Sequence, residues 1–255
     1  RHMIPIEEAR TYVMDRCAPL AAVATEVADA LGLVTAVDVT AKESLPPFAN
    51  TAMDGFAVRS ADLSTIPARL QIIETIAAGH SPSRAIGQGE ASRIMTGAPI
   101  PDGADAIVMV EKTSVDGDTV SIETQVEPGN HIRPAGDDVV EGDLVFPART
   151  ELSAGHLGLL CSLGLREIET YPRLRVGVIS TGDELVDDGG ALAPGQIRDS
   201  NRRTLLSLLS GDGFEPVDLG LIADDELAIE TALVLGAQNC DAVVTSGGVS
   251  MGDFD

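Results

Sequence analysis

Three short apolar runs in the C-terminal part constrain the fold more than any other feature of this chain. Leu174–Ile179, Pro216–Leu221 and Asp241–Thr245 each have the length and branching of a buried strand. Helical signals separate them. Asn201 or Ser200 can cap a helix over Arg202–Leu209 that Gly211 and Gly213 end, and Asp224 can cap one from Asp225 to about Ala237. Acids in the first turn of that second helix suit its macrodipole. Strand–helix–strand crossovers are right-handed and give a parallel sheet. The three strands therefore point one way, and their C-terminal ends share the rim where open α/β sheets bind ligands.

That rim is built for anions and hard cations. The first strand breaks into Ser180-Thr181-Gly182-Asp183-Glu184, and the third into Thr245-Ser246-Gly247-Gly248, with Ser250, Asp253 and Asp255 just beyond. Small residues let backbone N–H groups converge on a phosphate, and nearby carboxylates can hold a divalent cation. A lone Ser-Gly-Gly is most simply a tight turn; the second strand end of the same character raises the ligand reading. Gly195-Gln196-Ile197-Arg198-Asp199-Ser200-Asn201 leads into a helix N-terminus, and Arg198, Arg202 and Arg203 supply local positive charge. His2, His80, His131 and His156 all lie earlier in the chain, each read as a surface or satisfied histidine. A Ser or Cys nucleophile with a His base is not favoured, nor is a His/Cys metal site; oxygen ligands suggest Mg²⁺.

The rest of the chain follows a different grammar. Pro5 to about Leu33 reads as helical, with Gly32 as its stop, and Leu33–Val39 as a strand. Pro46-Pro47 forbids helix in Ser44–Arg59, where Asp54 has a plain reading as a turn acid. From Phe48 to Thr150 short strands and turns, including Asp116-Gly117, suggest a small barrel or sandwich. Within it Ile94–Asp105 is irregular, and Thr96-Gly97 is a turn or a ligand-facing loop. Ser153–Leu163 reads as a short helix, and Tyr171-Pro172 as a boundary.

Composition excludes some partners. The 255 residues carry a formal charge of −23, which argues against nucleic acid or an anionic membrane. Lysine occurs only at Lys42 and Lys112, so arginine must provide any local reversal of the field. With 3% aromatics and no Trp, the core must be Ala, Val, Leu and Ile. Cys17, Cys161 and Cys240 are odd in number and far apart, and read as reduced, mostly buried thiols of a cytoplasmic protein. Neither a signal peptide nor an apolar run long enough to span a membrane is seen, and Arg1-His2-Met3 reads as a cloning remnant. The chain stops at Asp255 with no helix to cover its last strand, so a C-terminal part is expected to be missing.

PPFANTAMDGFAVR, IMTGAPIPDGADAIV, RPAGDDV, ISTGDEL, GQIRDSN and TSGGVSMGDFD occur in that order across nearly the whole chain. Together they resemble the molybdopterin molybdenumtransferases, the MoeA-type enzymes of molybdenum cofactor synthesis, whose animal relative is the E domain of gephyrin. The resemblance implies a multidomain α/β plus β fold. Residues 174–255 would be a MogA-like parallel α/β domain, here incomplete; 48–138 a β-rich, barrel-like domain; and 1–47 with 139–173 a discontinuous N-terminal helical and linker domain. The family's further C-terminal β domain is absent, so this chain as written is expected to be inactive.

The implied reaction takes adenylylated molybdopterin and molybdate, releases AMP with Mg²⁺, and leaves molybdenum on the pterin dithiolene. The implied assembly is a homodimer, its site formed between the α/β domain of one subunit and the β-rich domain of the other, with the pathway's adenylyltransferase as a further candidate partner. By motif the resemblance assigns catalytic roles to Asp54, Thr96, Asp138, Asp183 and Glu184. It assigns substrate binding to Ser180, Thr181, Gly182, Arg198, Ser200, Ser246, Gly247, Gly248 and Ser250, and metal binding to Glu184, Asp224, Asp253 and Asp255. Two other readings compete. One is a dimeric scaffold of the gephyrin E-domain type, against which the acids of the rim argue. The other is a molybdopterin adenylyltransferase, against which the long N-terminal and β-rich regions argue.

Overall fold

The computed structural model describes residues 4–247. Gly248, Ser250, Asp253 and Asp255 lie outside the described residues, so the expectations placed on them are not addressed by it. The chain divides into two units, one drawn from Arg1–Val37, Ala148–Leu157 and Arg166–Asp255, the other from Asp38–Pro147 and Gly158–Leu165.

The first unit opens with helix α1 (Ile6–Met14), which follows Pro5 and buries none of its residues. The helix expected to continue to Leu33 does not form. Pro19 lacks the N–H that a helix would need, and the β-branched segment beyond it becomes β1 (Val23–Glu26), followed by β2 (Val34–Thr35). Apolar spacing through Tyr12, Val13 and Cys17 carries the helical signal, but the helix ends at Met14 and Cys17 already lies beyond it.

The second unit is β-rich, as its composition implies. It contains β3 (Val39–Thr40), β4 (Asn50–Thr51), β5 (Gly55–Val58), β6 (Ala68–Ile76), β7 (Glu90–Ile94), β8 (Ala106–Met109), β9 (Thr113–Asp116), β10 (Thr119–Ile122), β11 (Ile132–Arg133) and β12 (Leu144–Phe146). Six of them form one mixed sheet in the order β8-β5-β7-β6-β10-β9, in which β6 and β7 run parallel and the other pairs antiparallel. Among the described residues its end strands do not pair with each other, so the sheet stays open. Strand β5 is buried on both faces. Phe56 and Val58 join one apolar cluster with Leu70, Val108 and Ile122, while Ala57 joins another with Ile76, Ile94 and Ile107. The Asp116-Gly117 hairpin links β9 to β10, with Gly117 in the left-handed region at φ 57°.

Helix α2 (Ala154–Ser162) is capped by the Ser153 hydroxyl, which accepts from the His156 N–H at 3.4 Å, and it ends at Gly164. Strand β13 (Glu167–Tyr171) then pairs between β1 and β2 in the first unit. Beyond it the expected parallel grammar holds: β14 (Arg175–Thr181), the short parallel pair β15 (Leu185–Val186) and β16 (Ile197–Arg198), helix α3 (Asn201–Gly211), β17 (Glu215–Ile222), α4 (Glu226–Asn239) and β18 (Ala242–Ser246). Strand β14 lies in the middle, parallel to β17 on one side and β18 on the other.

Three local expectations are corrected. Asp225, not Asp224, caps α4, accepting from the Ala228 N–H at 2.9 Å; the cap needs extended backbone, which Asp225 has. Ser200 occupies the cap position of α3 without a side-chain bond, and the carboxylate of Asp199 accepts from the Arg202 N–H in its place. The cysteines are unpaired, but Cys17 and Cys161 are exposed and only Cys240 is half-buried. No helix among the described residues is long and apolar enough to cross a membrane.

Candidate functional site

In the β-rich unit the site residues gather around β4 and the turn that follows it. Gly55 starts β5 so close to its neighbour that a Cβ there would collide with the Val108 carbonyl. This glycine therefore serves a close backbone approach inside the sheet, and Asp54 is held at the end of a rigid strand. One oxygen of Asp54 accepts from both the backbone N–H and the hydroxyl of Thr96, each at 2.7 Å. The backbone bond first, then the hydroxyl, lowers the Asp54 pKa below the usual carboxylate range. Both residues are exposed.

Strand β11 pairs with β4, placing Arg133 opposite Asn50. Arg133 donates to Asp138 at 2.8 Å and stands 3.5 Å from Asp137. Asp138, expected from its motif, is thus one half of an ion pair whose cation the sequence reading did not single out. The signal was there in the four- and five-residue spacing from Arg133 to the two acids.

In the first unit the site residues sit where β14 and β18 end. Gly182, at φ 149°, leaves room for the Glu184 carboxylate, whose Oε2 lies 2.5 Å from where a Cβ on Gly182 would stand. Gly247, at φ 117°, does the same for Thr181, whose hydroxyl oxygen lies 2.5 Å from the corresponding point. Two glycines thus admit one carboxylate and one hydroxyl to the rim, with Ser246 half-buried at the end of β18. Asp183 accepts from the Asp224 N–H at 3.1 Å, which joins the rim's two acidic turns. Arg198 is exposed and donates to the Gly190 carbonyl at 2.6 Å. Ser200 is exposed.

Ser180 differs from the other rim residues. It is fully buried, and its hydroxyl donates to Asp199 at 3.0 Å. Asp199 in turn takes the Arg202 Nε–H at 2.8 Å, and the remaining guanidinium nitrogens of Arg202 donate to Asp187 and Asp218. Burial opposes ionisation of Asp199, but the bonds from Arg202 and Ser180 outweigh it and lower its pKa; burial likewise opposes the charge of Arg202, and its carboxylate partners raise its pKa. Asp199 stands one residue before the helix cap, a position from which its role was readable; Asp187 and Asp218 gave no signal of theirs. Among the described residues no three His, Cys, Asp or Glu side chains form a metal-binding group. Of the expected metal ligands, Glu184 and Asp224 are described, and both are exposed.

A parallel α/β unit with hydroxyl, glycine and carboxylate groups at its strand ends, joined in one chain to a β-rich unit bearing a bonded acid, defines a multidomain protein of the α/β plus β class. Residues 4–164 match the MoeA N-terminal region (domain I and II), and residues 177–255 match a probable molybdopterin binding domain. The chain belongs to the MoeA family.

It is 38% identical over 255 residues to a molybdopterin molybdenumtransferase of Haemophilus influenzae, covering 99% of this chain and 63% of that protein. It is 42% identical over 247 residues to molybdopterin molybdenumtransferase 2 of Mycobacterium tuberculosis, covering 95% of this chain and 60% of that one. A crystal structure of the molybdopterin biosynthesis MoeA protein from Pyrococcus horikoshii OT3 superposes with a TM-score of 0.87 at 29% identity, covering 98% of this chain and 68% of the other. The chain thus spans 63% and 60% of the length of these two curated relatives.

Proposed function

We propose that the protein containing this chain is a molybdopterin molybdenumtransferase, which inserts molybdate into adenylylated molybdopterin and releases AMP. The observation that carries this reading is the end of the central strand β14. There the Thr181 hydroxyl and the Glu184 carboxylate are each admitted by a glycine with positive φ. Relatives of the same family named for this activity support it.

Each group has a task on this reading. Thr181 donates to a phosphate oxygen, and Ser246 and Gly247 line the same strand end for the pterin phosphate. Arg198 and Ser200 approach the adenylate. Asp54, kept ionised by Thr96, accepts a hydrogen bond or proton from the reacting pterin, while Arg133 holds Asp138 through their ion pair. The exposed oxygens of Glu184 and Asp224 are of the type that suits Mg²⁺, with Asp253 and Asp255 as the remaining candidate ligands. Mg²⁺ held there would supply positive charge against the phosphate oxygens. Two Mo–S bonds to the dithiolene replace two Mo–O bonds of molybdate, whose oxygens leave as water with the thiol protons, and water supplies the oxygen that takes the phosphoryl group as AMP leaves, so no side-chain nucleophile is required.

The proposal extends to organisation. The three-part division into 1–47 with 139–173, 48–138 and 174–255 is our reading of how the family's domains map here. So is a homodimer in the cytoplasm with a site shared between subunits. Sedimentation of the full-length protein as a stable monomer at micromolar concentration would count against the shared site. The activity is tested by supplying adenylylated molybdopterin, Mg²⁺ and molybdate and following AMP. Molybdate-dependent AMP release, lost on Glu184→Ala and Asp255→Ala, supports the transferase. Tight nucleotide binding without release indicates the scaffold reading instead.

A further inference from the structure

We propose that Arg202 is a positioning residue, a clasp that holds the segment 183–199 against the end of β14 and so sets where Glu184 and Arg198 stand. Its kinetic consequence rests on the transferase reading; the clasp itself does not.

Arg202 is 3% exposed, and Asp199 7%. Three nitrogens of its guanidinium donate to carboxylates from three different places: Nε to Asp199 just before α3, Nη1 to Asp218 in β17, and Nη2 to Asp187 just after β15. Asp199 passes the connection on through the Ser180 hydroxyl to the last turn of β14, and Asp218 takes the Gly220 N–H at 3.0 Å. The clasped segment has little else to hold it. Strands β15 and β16 have two residues each, and the stretch between them turns through Gly189, Gly190 and Gly195. Its backbone ties are short and local, with the Ile197 N–H on the Glu184 carbonyl at 2.8 Å and the Asp199 N–H on the Val186 carbonyl at 2.9 Å.

Stability alone is a weak reason for such a group. A buried ion pair is often no more stabilising than apolar side chains of the same volume, whereas it fixes geometry through directional bonds. Charge leads to the same conclusion. Without Arg202, the carboxylates of Asp187, Asp199 and Asp218 would repel one another, and among the described residues no other cation comes closer to Asp218 than Arg203 at 3.8 Å. The mobile partner would then be the segment carrying Asp187, since Asp218 sits in a paired strand. A lysine has one ammonium where arginine has a planar fork, so it cannot span three carboxylates at once.

The test compares wild type, Arg202→Lys and Asp187→Asn in the full-length protein. Amide hydrogen exchange is followed by peptide, alongside KM and kcat for molybdate-dependent AMP release. We expect both variants to melt cooperatively. Exchange should rise roughly tenfold over 183–199 with β14 and β17 unchanged, and AMP release should weaken on both counts, with KM for adenylylated molybdopterin rising roughly tenfold as Arg198 shifts and kcat falling as Glu184 shifts. Exchange that is unchanged in 183–199, or that rises equally through β14 and β17, would overturn the clasp. Should Arg202→Lys not fold, Asp187→Asn, whose side chain is half-exposed, decides alone by the same exchange pattern. A wild-type protein with no AMP release would sink the transferase reading and leave the exchange result to judge the clasp.

Discussion

Thr96 gives both its backbone N–H and its hydroxyl to the same oxygen of Asp54, each at 2.7 Å. Asp54 is exposed, and these bonds lower its pKa, so the acid stays ionised at a pH where a free aspartate is partly protonated. Removing the hydroxyl removes the second largest of the lowering effects and leaves the backbone N–H of residue 96 and the charge of Arg93 in place. In Thr96→Ala the Asp54 pKa should therefore move up toward the ordinary value without reaching it. A carboxyl-carbon NMR titration of the two proteins checks this, and an unchanged midpoint would refute it.

Glu184 lies where a side chain on residue 182 would go, and Gly182 is at positive φ. Gly182→Ala should cost roughly 1 kcal/mol or more of stability through backbone strain alone. It should also displace the Glu184 carboxylate and lower AMP release well beyond that loss, at temperatures where the variant is fully folded. Activity equal to wild type under those conditions would show that the position of Glu184 is unimportant.

Asp199 sets the response to acid. Its folded pKa is depressed, so its contribution is complete above the unfolded value of about 3.9 and disappears as pH falls through the lower folded value. Wild-type stability should therefore decline with falling pH below about 4, and Asp199→Asn should flatten that part of the curve. At neutral pH, Asp199→Ala leaves a buried guanidinium one partner short and should cost about 3 kcal/mol. Urea unfolding across the pH range measures both.

Gly55→Ala places a methyl group against the Val108 carbonyl in the middle of a packed sheet. We expect a loss of about 1–3 kcal/mol, as for other overpacked interiors, with faster exchange at the β5–β8 amides. A variant as stable as wild type would mean that the two strands separate at little cost.

The parallel grammar of the C-terminal part was legible because it is local. Apolar runs of strand length, glycine stops and acidic helix starts lie within a few residues of one another, and Leu174, Pro216 and Asp241 each fell within one residue of a strand start. The N-terminal helix was misread because Tyr12, Val13 and Cys17 keep helical spacing, while the partner that claims Val23–Glu26 is β13, more than 140 residues away. The rim was legible as chemistry, whereas the separate fate of Ser180 was not. A serine at a strand end looks like a ligand donor until its acceptor, Asp199, is seen beneath it. Asp54 looked like a turn acid for a similar reason, since Thr96 reaches it across 42 residues.

Strand β5 is buried on both faces, and Asp54 is attached directly to its first residue. The N–H and hydroxyl of Thr96 hold the carboxylate itself, so its side-chain torsions are restrained as well as its backbone. Its orientation is fixed before any ligand arrives, so little ordering entropy remains to be lost there on binding. In vibrational terms, an isotope-labelled Asp54 should give one narrow carboxylate stretch in the free protein, at the width it keeps when the site is filled.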